Sequence, residues 1–435
     1  MTRFRNWAGT HTCTPAGWHT PADTETVAAV VKQAHQEGQT VRVVGAGHSF
    51  SDIALTDGAM VSLDQMQSVL EADEHTGLVR VQAGLRLKRL VEDLAGLGLA
   101  LPNLGSIMDQ SIAGATATGT HGSSRTHGNL SSLIVGATLV TGTGEIKTLE
   151  RGDNLLAARV SLGCLGIATE LTLQCVPAFD LAERSWTLEF DEACDQLEAL
   201  SREHEYVKLW WFPHTGRVQV FAYERTLAER RPQSGMSRWY EHNVERHLFG
   251  LVLGTGRLWP GLVPGLNRLA SRSLFAPLDR VDRSDKSLTI AMPPKHREME
   301  YSVPIEQAPE ALRAMKATIE REPLRINFIV EARFVAADNA HLSPAEGRDS
   351  CQIGAYMAAC PDLERYFGWF EQWMQDHQAR PHWGKEFSAS REYLQSVYPA
   401  FDRFDAVRQR LDPDGVMANA FVDRIFPRPP RIFPR

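Results

Sequence analysis

The chain has 435 residues and a net charge of -7, with ordinary apolar and charged fractions. This length favours two domains over one core, and the acidic balance argues against a nucleic-acid-binding protein. The six cysteines are scattered and no C-x-x-C occurs, so we expect reduced thiols, no metal site and a cytoplasmic protein.

The first part of the chain alternates short helices and strands, and we predict that it forms one domain over 1–177. Apolar residues at helical spacing or in β-prone runs mark these elements. The predicted helices are 24–37 and 86–97, and the predicted strands are 41–44, 60–63, 78–83, 134–141, 145–149 and 167–176.

The second part is predicted to be a separate α+β domain over 178–385, followed by a C-terminal segment over 386–435. The predicted strands are 207–211, 218–223, 299–303 and 326–334, and the predicted helices are 309–321 and 363–377. The tail 425–435 is rich in proline and arginine, which predicts disorder.

The most apolar stretch lies between residues 248 and 275. Glycines, prolines and three arginines interrupt it, so it is too broken to predict a membrane-spanning helix. Packing against the protein is the simpler expectation, and peripheral contact with a membrane surface is the alternative.

Two glycine-rich loops carry the strongest functional signal. The first, GAGHSF, follows the strand 41–44 and contains Gly45, Gly47 and His48. Phe50 stands where G-x-G-x-x-G requires glycine, and no G-K-[ST] follows, so neither common nucleotide loop fits. The second, Asn103–Ser124, lies about 60 residues downstream and also contains a histidine. Together the loops predict an extended anionic ligand held mainly by backbone N–H groups.

Several motifs in order narrow this prediction. GAGHSF, LPNLGSIMDQSIAGATATGTHG and LGCLGIATELTL resemble the FAD-binding domain of the vanillyl-alcohol-oxidase type flavoproteins. VEARFVAADNAHLSP, RDSC, RPHWGKEF and LDPDGVMANAFV resemble the sugar-lactone oxidase group, which contains L-gulonolactone, D-arabinono-lactone and alditol oxidases. The resemblance implies an α+β fold with an FAD-binding domain, a cap domain containing a large antiparallel sheet, and a C-terminal segment that returns to the FAD domain.

The resemblance also assigns cofactor residues. It implies that His48 carries FAD covalently through the flavin 8α-methyl group, which suits a neutral, nucleophilic imidazole. His121 is expected to position the flavin. The full set of predicted cofactor-binding residues is Gly45, Ala46, Gly47, His48, Ser49, Gly105, Ser106, Ser111, Gly114, Ala115, Thr118, Gly119, His121 and Ile167.

The substrate side rests on three charged residues. Glu331 and Arg333 alternate on a predicted strand and therefore share one face. The resemblance makes them substrate contacts, together with Lys385 and Ser106, and makes Lys385, Arg333 and Glu331 the catalytic set. Lys385 would stabilise the alkoxide that forms on the substrate.

The resemblance predicts oxidation of an aldono-1,4-lactone such as L-gulono-, L-galactono- or D-arabinono-lactone, with O2 as acceptor and H2O2 as product. Gly105 lacks a methyl group that would shield the flavin from O2, which favours an oxidase over a dehydrogenase. Gly354 stands near the position of an alditol-oxidase histidine, which favours a lactone over a polyol. The alternatives are an alditol oxidase, a dehydrogenase using another acceptor, and a catalytically silent flavin-binding protein.

Overall fold

The computed structural model describes residues 2–233, 246–358 and 360–428. The first part contains twelve short strands and four helices. The strands are β1 (Phe4–Arg5), β2 (Thr12–Cys13), β3 (Gly17–His19), β4 (Val41–Val44), β5 (Ala59–Ser62), β6 (Val69–Asp73), β7 (Leu78–Gln82), β8 (Leu99–Ala100), β9 (Ile134–Val140), β10 (Ile146–Leu149), β11 (Ile167–Gln174) and β12 (Val176–Pro177). The helices are α1 (Thr24–Gln36), α2 (Leu87–Gly96), α3 (Ile112–Ala117) and α4 (Gly152–Arg159).

Two sheets organise this part. Strands β3, β5 and β4 form a parallel sheet, and β10, β9, β11, β7 and β6 form an antiparallel one. Helix α1 presents Val27 and Val31 to the core, and Asp23 caps its N-terminus by accepting from Thr26 N at 2.7 Å. The loop GAGHSF begins directly after β4, at the end of the parallel sheet.

The second part contains the remaining strands and helices. The strands are β13 (Asp180–Glu189), β14 (Tyr206–Trp211), β15 (Arg217–Thr226), β16 (Leu278–Arg283), β17 (Arg297–Pro304), β18 (Val330–Val335), β19 (Ser350–Met357) and β20 (Arg380–Pro381). The described helices are α5 (Phe190–Glu203), α6 (Arg246–Leu258), α7 (Val263–Leu274), α8 (Ser284–Leu288), α9 (Ala308–Arg321), α10 (Leu363–Asp376), α11 (Arg391–Val397), α12 (Phe401–Leu411) and α13 (Ala420–Ile425).

One antiparallel sheet joins all eight of these strands in the order β16-β13-β15-β14-β18-β19-β17-β20. Its inner strands have one apolar and one polar face because successive side chains point to opposite sides. Helices α5 and α9 contact each other, and α5 also contacts β13, β14 and β15. The apolar face includes Leu209, Ala332 and Ile353, which are directly paired neighbours. The polar face collects charged residues from neighbouring strands.

The C-terminal segment contacts the first part of the chain. Arg42 on β4 is buried, and its guanidinium donates to the carbonyl oxygens of Ile53, Leu162, Gly163 and Met417 at 2.5–2.9 Å. Asn419 Nδ2 donates to the carbonyl oxygens of Asp52, Ile53 and Leu55. These bonds tie the segment that ends the chain to the loop that follows His48.

Two sequence expectations need correction here. Strand β18 begins at Val330 rather than at residue 326, and the preceding residues pack Phe328 against Leu253 and Tyr356 instead. The tail is not disordered from residue 425, because Ile425 ends α13 and Phe426 is fully buried against Phe401. Residues 429–435 lie outside the described residues. Within the described ranges, no helix is long and apolar enough to cross a membrane.

Candidate active site

A cleft opens along the loop that follows β4. Close backbone approach shapes its wall, since a Cβ on Gly45 would lie 2.3 Å from Ser111 Oγ and Gly47 adopts φ +69°. The loop of Ser161, Leu162 and Gly163 lines the opposite side. A long wall of glycines and small side chains suits an extended ligand such as FAD, whose phosphates are bound by backbone N–H groups.

His48 lies in this cleft with its ring stacked on Trp7 at 5.8 Å between centroids. Burial lowers the pKa of His48, and the nearby cations of Lys385 and Arg86 lower it further against the opposing effect of Asp109. The imidazole is therefore neutral at physiological pH and keeps a nucleophilic nitrogen.

The predicted cofactor residues divide into two groups. Those that line the cleft are Gly45, Ala46, Gly47, His48, Ser49, Ser111, Gly114 and Thr118. Those that do not line it are Gly105, Ser106, Ala115, Gly119, His121 and Ile167. The side chains of Ala115 and Ile167 have no exposed surface and belong to the core, because α3 and β11 turn them inward. Sequence reasoning missed Arg42, Asp64, Gly84 and Ser161, which also line the cleft.

Glu331 and Arg333 lie side by side on the polar face of the sheet, and both are buried. Arg333 Nε lies 3.3 Å from Glu331 Oε2. The carboxylate also accepts from Trp210 Nε1 at 2.7 Å and from the Tyr356 hydroxyl at 2.8 Å. Burial opposes the charge of Arg333, but Glu331 and Glu300 outweigh it and raise the pKa of the guanidinium.

Glu300 on β17 connects this pair to the second glycine-rich loop. Its Oε1 lies 3.3 Å from Arg333 Nη2 and 3.1 Å from His121 Nε2. Burial opposes the charge of Glu300, but His121 and Arg333 hold the pKa of the carboxyl well below its usual range. His121 Nδ1 donates to the carbonyl oxygen of Gly122 at 2.9 Å, so the nitrogen facing the ionised carboxylate must also carry a hydrogen. His121 therefore faces the eight-stranded sheet rather than the cleft.

Lys385 joins the sheet to the cofactor loop. Its ammonium donates to Glu298 Oε2 at 2.5 Å and lies 5.1 Å from the centre of the Phe50 ring. Phe50 N donates to the carbonyl oxygen of Gly384 at 2.8 Å. The loop that carries His48 and the turn that carries Lys385 are thus directly bonded.

His121, Glu300 and His382 place possible ligand atoms within 4.8 Å of one another, which is close enough for a metal ion. Gly384 N–H donates to His382 Nδ1 at 3.0 Å, so the ring hydrogen is on Nε2. Burial lowers the pKa of His382 to about 3, which keeps the ring neutral. With Arg333 beside Glu300, a further cation would be repelled, so we interpret the cluster as a hydrogen-bond network.

Sequence reasoning missed the acidic residues of β17. Glu298 and Glu300 alternate with Met299 and Tyr301, which is the period of a strand with one polar and one apolar face. That pattern was visible in the sequence, but only the tertiary structure shows that these carboxylates meet the predicted cations. It also shows that Tyr356, five residues after Cys351, reaches back to Glu331.

The ion pair between Glu298 and Lys385 predicts a pH-dependent stability. Burial opposes the charge of Glu298, but Lys385 lowers the pKa of the carboxyl below its usual 4.5. The pair therefore stabilises the fold fully above about pH 4.5, and this contribution is lost as pH falls towards the lowered pKa. We expect Glu298→Gln to unfold at lower urea than wild type near pH 7, with the difference shrinking towards about pH 3.

Urea midpoints measured across this pH range check the prediction. The exposed Glu74→Gln is the matched control and should follow the wild type at every pH. A difference between wild type and Glu298→Gln that stays constant as the pH falls would contradict the assignment.

Two family models together match most of the chain. The family model for D-arabinono-1,4-lactone oxidase matches residues 171–425, and a model for an FAD binding domain matches residues 15–150. A protein from Mycobacterium tuberculosis named L-gulono-1,4-lactone dehydrogenase is 39% identical over 97% of this chain and 98% of its own length. The L-gulonolactone oxidase of Bos taurus is 36% identical, with 98% of each chain covered.

The fold is also found in solved structures. The crystal structure of cholesterol oxidase from B. sterolicum aligns with a TM-score of 0.85 at 17% identity, covering 98% of this chain and 96% of that one. This likeness confirms the predicted α+β fold. The family match over more than half of the chain and the relatives above 30% identity lead to one conclusion: the chain belongs to the D-arabinono-1,4-lactone oxidase family.

Proposed function

We propose that the protein oxidises an aldono-1,4-lactone at C2 and uses O2 as the electron acceptor. The substrate loses a hydroxyl proton and a hydride, which yields a 2-keto lactone, and O2 gains two electrons and two protons to give H2O2. The observation that carries the proposal is the hydrogen bond between Phe50 N and Gly384 O, since it joins the His48 loop to the Lys385 turn. The names of the relatives supply the substrate class.

We assign the domains and side chains accordingly. Residues 1–177 bind FAD, 178–385 form the cap, and 386–435 return to the FAD domain through contacts such as those of Asn419. Bound FAD supplies the acceptor for the hydride and the route of the electrons to O2. Lys385 and Arg333 stabilise negative charge on the reacting oxygen, and Glu331 accepts a hydrogen bond from a neighbouring hydroxyl. Ser106, whose backbone carbonyl accepts from Ile290 N, stays a proposed substrate contact.

Gly354 supports a lactone rather than a polyol as substrate. It lies opposite Glu331 on the paired strand, and a Cβ there would lie 2.6 Å from the Tyr356 ring. The glycine therefore lets Tyr356 reach Glu331. A histidine at this position, as the alditol-oxidase alternative requires, would displace that ring.

The proposal of O2 as acceptor rests on the relatives named oxidases, and one relative is named a dehydrogenase. The missing side chain at Gly105 supports O2 as acceptor less strongly than the sequence alone indicates. A Cβ there would lie 2.9 Å from Thr120 Cγ2 and 3.3 Å from His121 O, so the missing methyl leaves no open space. Comparing oxygen uptake with dye reduction separates the two acceptors.

Lys385→Met tests the reaction. We expect purified wild-type protein to release H2O2 with L-gulono-1,4-lactone, and the variant to lose about 100-fold or more of kcat, since one preorganised donor is removed. The flavin content should be unchanged because Lys385 does not line the cleft. The control Lys286→Met changes an exposed lysine and should retain full activity. Peroxide from xylitol or sorbitol but from no lactone would instead indicate an alditol oxidase.

We also propose that His48 is bonded covalently to FAD. Its neutral, half-buried ring in the cleft supports the proposal. After acid precipitation, the flavin absorbance should stay with the wild-type polypeptide and move to the supernatant for His48→Ala. The matched variant His19→Ala, which changes a histidine outside the cleft, should behave like wild type. Flavin released from the wild type would refute the linkage.

We further propose that the cytoplasmic protein contacts membranes through residues 248–275. Six exposed large apolar side chains lie in α6, α7 and their connection: Leu251, Leu258, Trp259, Leu262, Leu269 and Leu274. No acidic residue occurs between positions 246 and 278, whereas four arginines do. Exposed Leu and Trp beside Arg suit an anionic lipid surface.

A vesicle experiment tests this contact. Wild-type protein should sediment with phosphatidylglycerol vesicles and less with phosphatidylcholine vesicles, and a variant with Leu258, Trp259 and Leu262 all changed to Ser should stay in solution. Leu227→Ser removes a fully exposed leucine outside this region and is the control. Unchanged binding by the triple variant would refute the proposed surface.

A further inference from the structure

Lys208 is a buried cation on the polar face of the cap sheet. It lies on β14 directly opposite Arg333 on β18, and only 4% of it is exposed. Directly paired residues of antiparallel strands point to the same side of the sheet. The side chain of Lys208 is therefore on the face that carries Arg333 and Glu331.

The surroundings of Lys208 differ from those of Lys385. Its ammonium lies 5.1 Å from the centre of the Trp210 ring, 5.3 Å from that of Phe221 and 5.9 Å from that of Tyr223. Within the described part of the chain we find no hydrogen bond or ion pair of this ammonium, and Glu331 and Glu183 attract it only at longer range. A buried ammonium without a hydrogen-bond acceptor is costly, so the position is unfavourable for the fold alone.

The position of Lys208 indicates which part of a ligand it would contact. Lys385 bonds to Glu298 on β17, and β18 and β19 lie between β17 and β14. In this strand order Lys208 lies directly beside Arg333, on the side of β18 away from β17 and Lys385. A substrate that contacts Lys385 and Arg333 would therefore have Lys208 beyond Arg333, next to the end of the substrate farther from Lys385.

We propose that Lys208 and Trp210 form a subsite for the exocyclic hydroxyl groups of the aldonolactone. This subsite adds two residues to the catalytic set of Lys385, Arg333 and Glu331, and it rests on the proposed function. The ammonium supplies hydrogen-bond donors for the hydroxyl oxygens, and the indole offers an apolar face to the C–H groups. Trp210 is held in place because its Nε1 donates to Glu331. The subsite selects lactones by the length of the side chain on the ring.

Comparing two substrates distinguishes an effect on the proposed subsite from an effect on the catalytic set. L-Gulono-1,4-lactone carries an exocyclic two-carbon chain, and L-threono-1,4-lactone has the ring hydroxyls without that chain. For Lys208→Met we expect KM for the gulono-lactone to rise about 10- to 100-fold, because the variant loses a hydrogen bond from a charged donor. The value of kcat should stay within about twofold of wild type. Values for the threono-lactone, as substrate or as competitive inhibitor, should stay within about twofold.

Three further measurements complete the test. Lys208→Arg keeps the charge and should restore most of the affinity for the gulono-lactone. Lys316→Met removes a lysine that also lies on an aromatic ring, 4.9 Å from Phe190, but on the opposite side of the domain, and should leave both lactones unaffected. Flavin content and thermal midpoint identify any variant that fails to fold, in which case Lys208→Gln is measured instead.

The outcomes are distinguishable. Equal effects of Lys208→Met on the two lactones, or no effect on either, overturn the subsite while leaving the proposed function in place. If wild-type protein binds and oxidises no lactone, the proposed function itself fails and the subsite fails with it.

Discussion

The packing of the second glycine-rich loop on the cap sheet depends on one buried carboxylate, which contacts both an arginine and a histidine. Glu300 is held between Arg333 on the neighbouring part of the cap sheet and His121 on the second glycine-rich loop. A carboxylate this deeply buried is stable only if it stays paired, because an isolated buried charge costs several kcal/mol. The contact therefore holds the glycine-rich loop against the sheet and also gives the guanidinium of Arg333 an ion-pair partner.

A chain of charges extends from this point. Glu331 balances Arg333 from the other side, and Glu298 balances Lys385 at the edge nearest the cofactor loop. Arg333 and Lys385, the two cations of the proposed catalytic set, thus each have a carboxylate partner that limits their motion. Lys208 lies on the same face but forms no ion pair with a carboxylate among the described residues. For this reason we propose that it binds the substrate and does not take part in the reaction.

Hydrogen bonds from buried side chains to backbone carbonyls hold the segments around the cleft together. Arg42 donates to four backbone carbonyls from three separate segments, and Asn419 donates to the loop that follows His48. The C-terminal segment is therefore hydrogen-bonded to β4 and to the loop that follows His48. Leu253 on α6 belongs to the same buried apolar cluster as Tyr356, whose hydroxyl donates to Glu331, so this helix is anchored next to the Glu331 side of the sheet.

The sequence by itself determined the local elements and the family. Most predicted strands and helices differ from the structure by one or two residues, since alternation and helical spacing are local properties. Motif order identified the two loops, the strand of Glu331 and Arg333, and Lys385. Only the tertiary structure decided which groups meet, because strand order and register bring β17 beside β19 and β18 beside β14. It placed His121 away from the cleft, placed Glu298 and Glu300 beside Lys385 and Arg333, and placed Lys208 among aromatic rings with no hydrogen bond or ion pair among the described residues. Pairing of residues more than 100 positions apart is set by packing of the whole sheet, which no local pattern specifies.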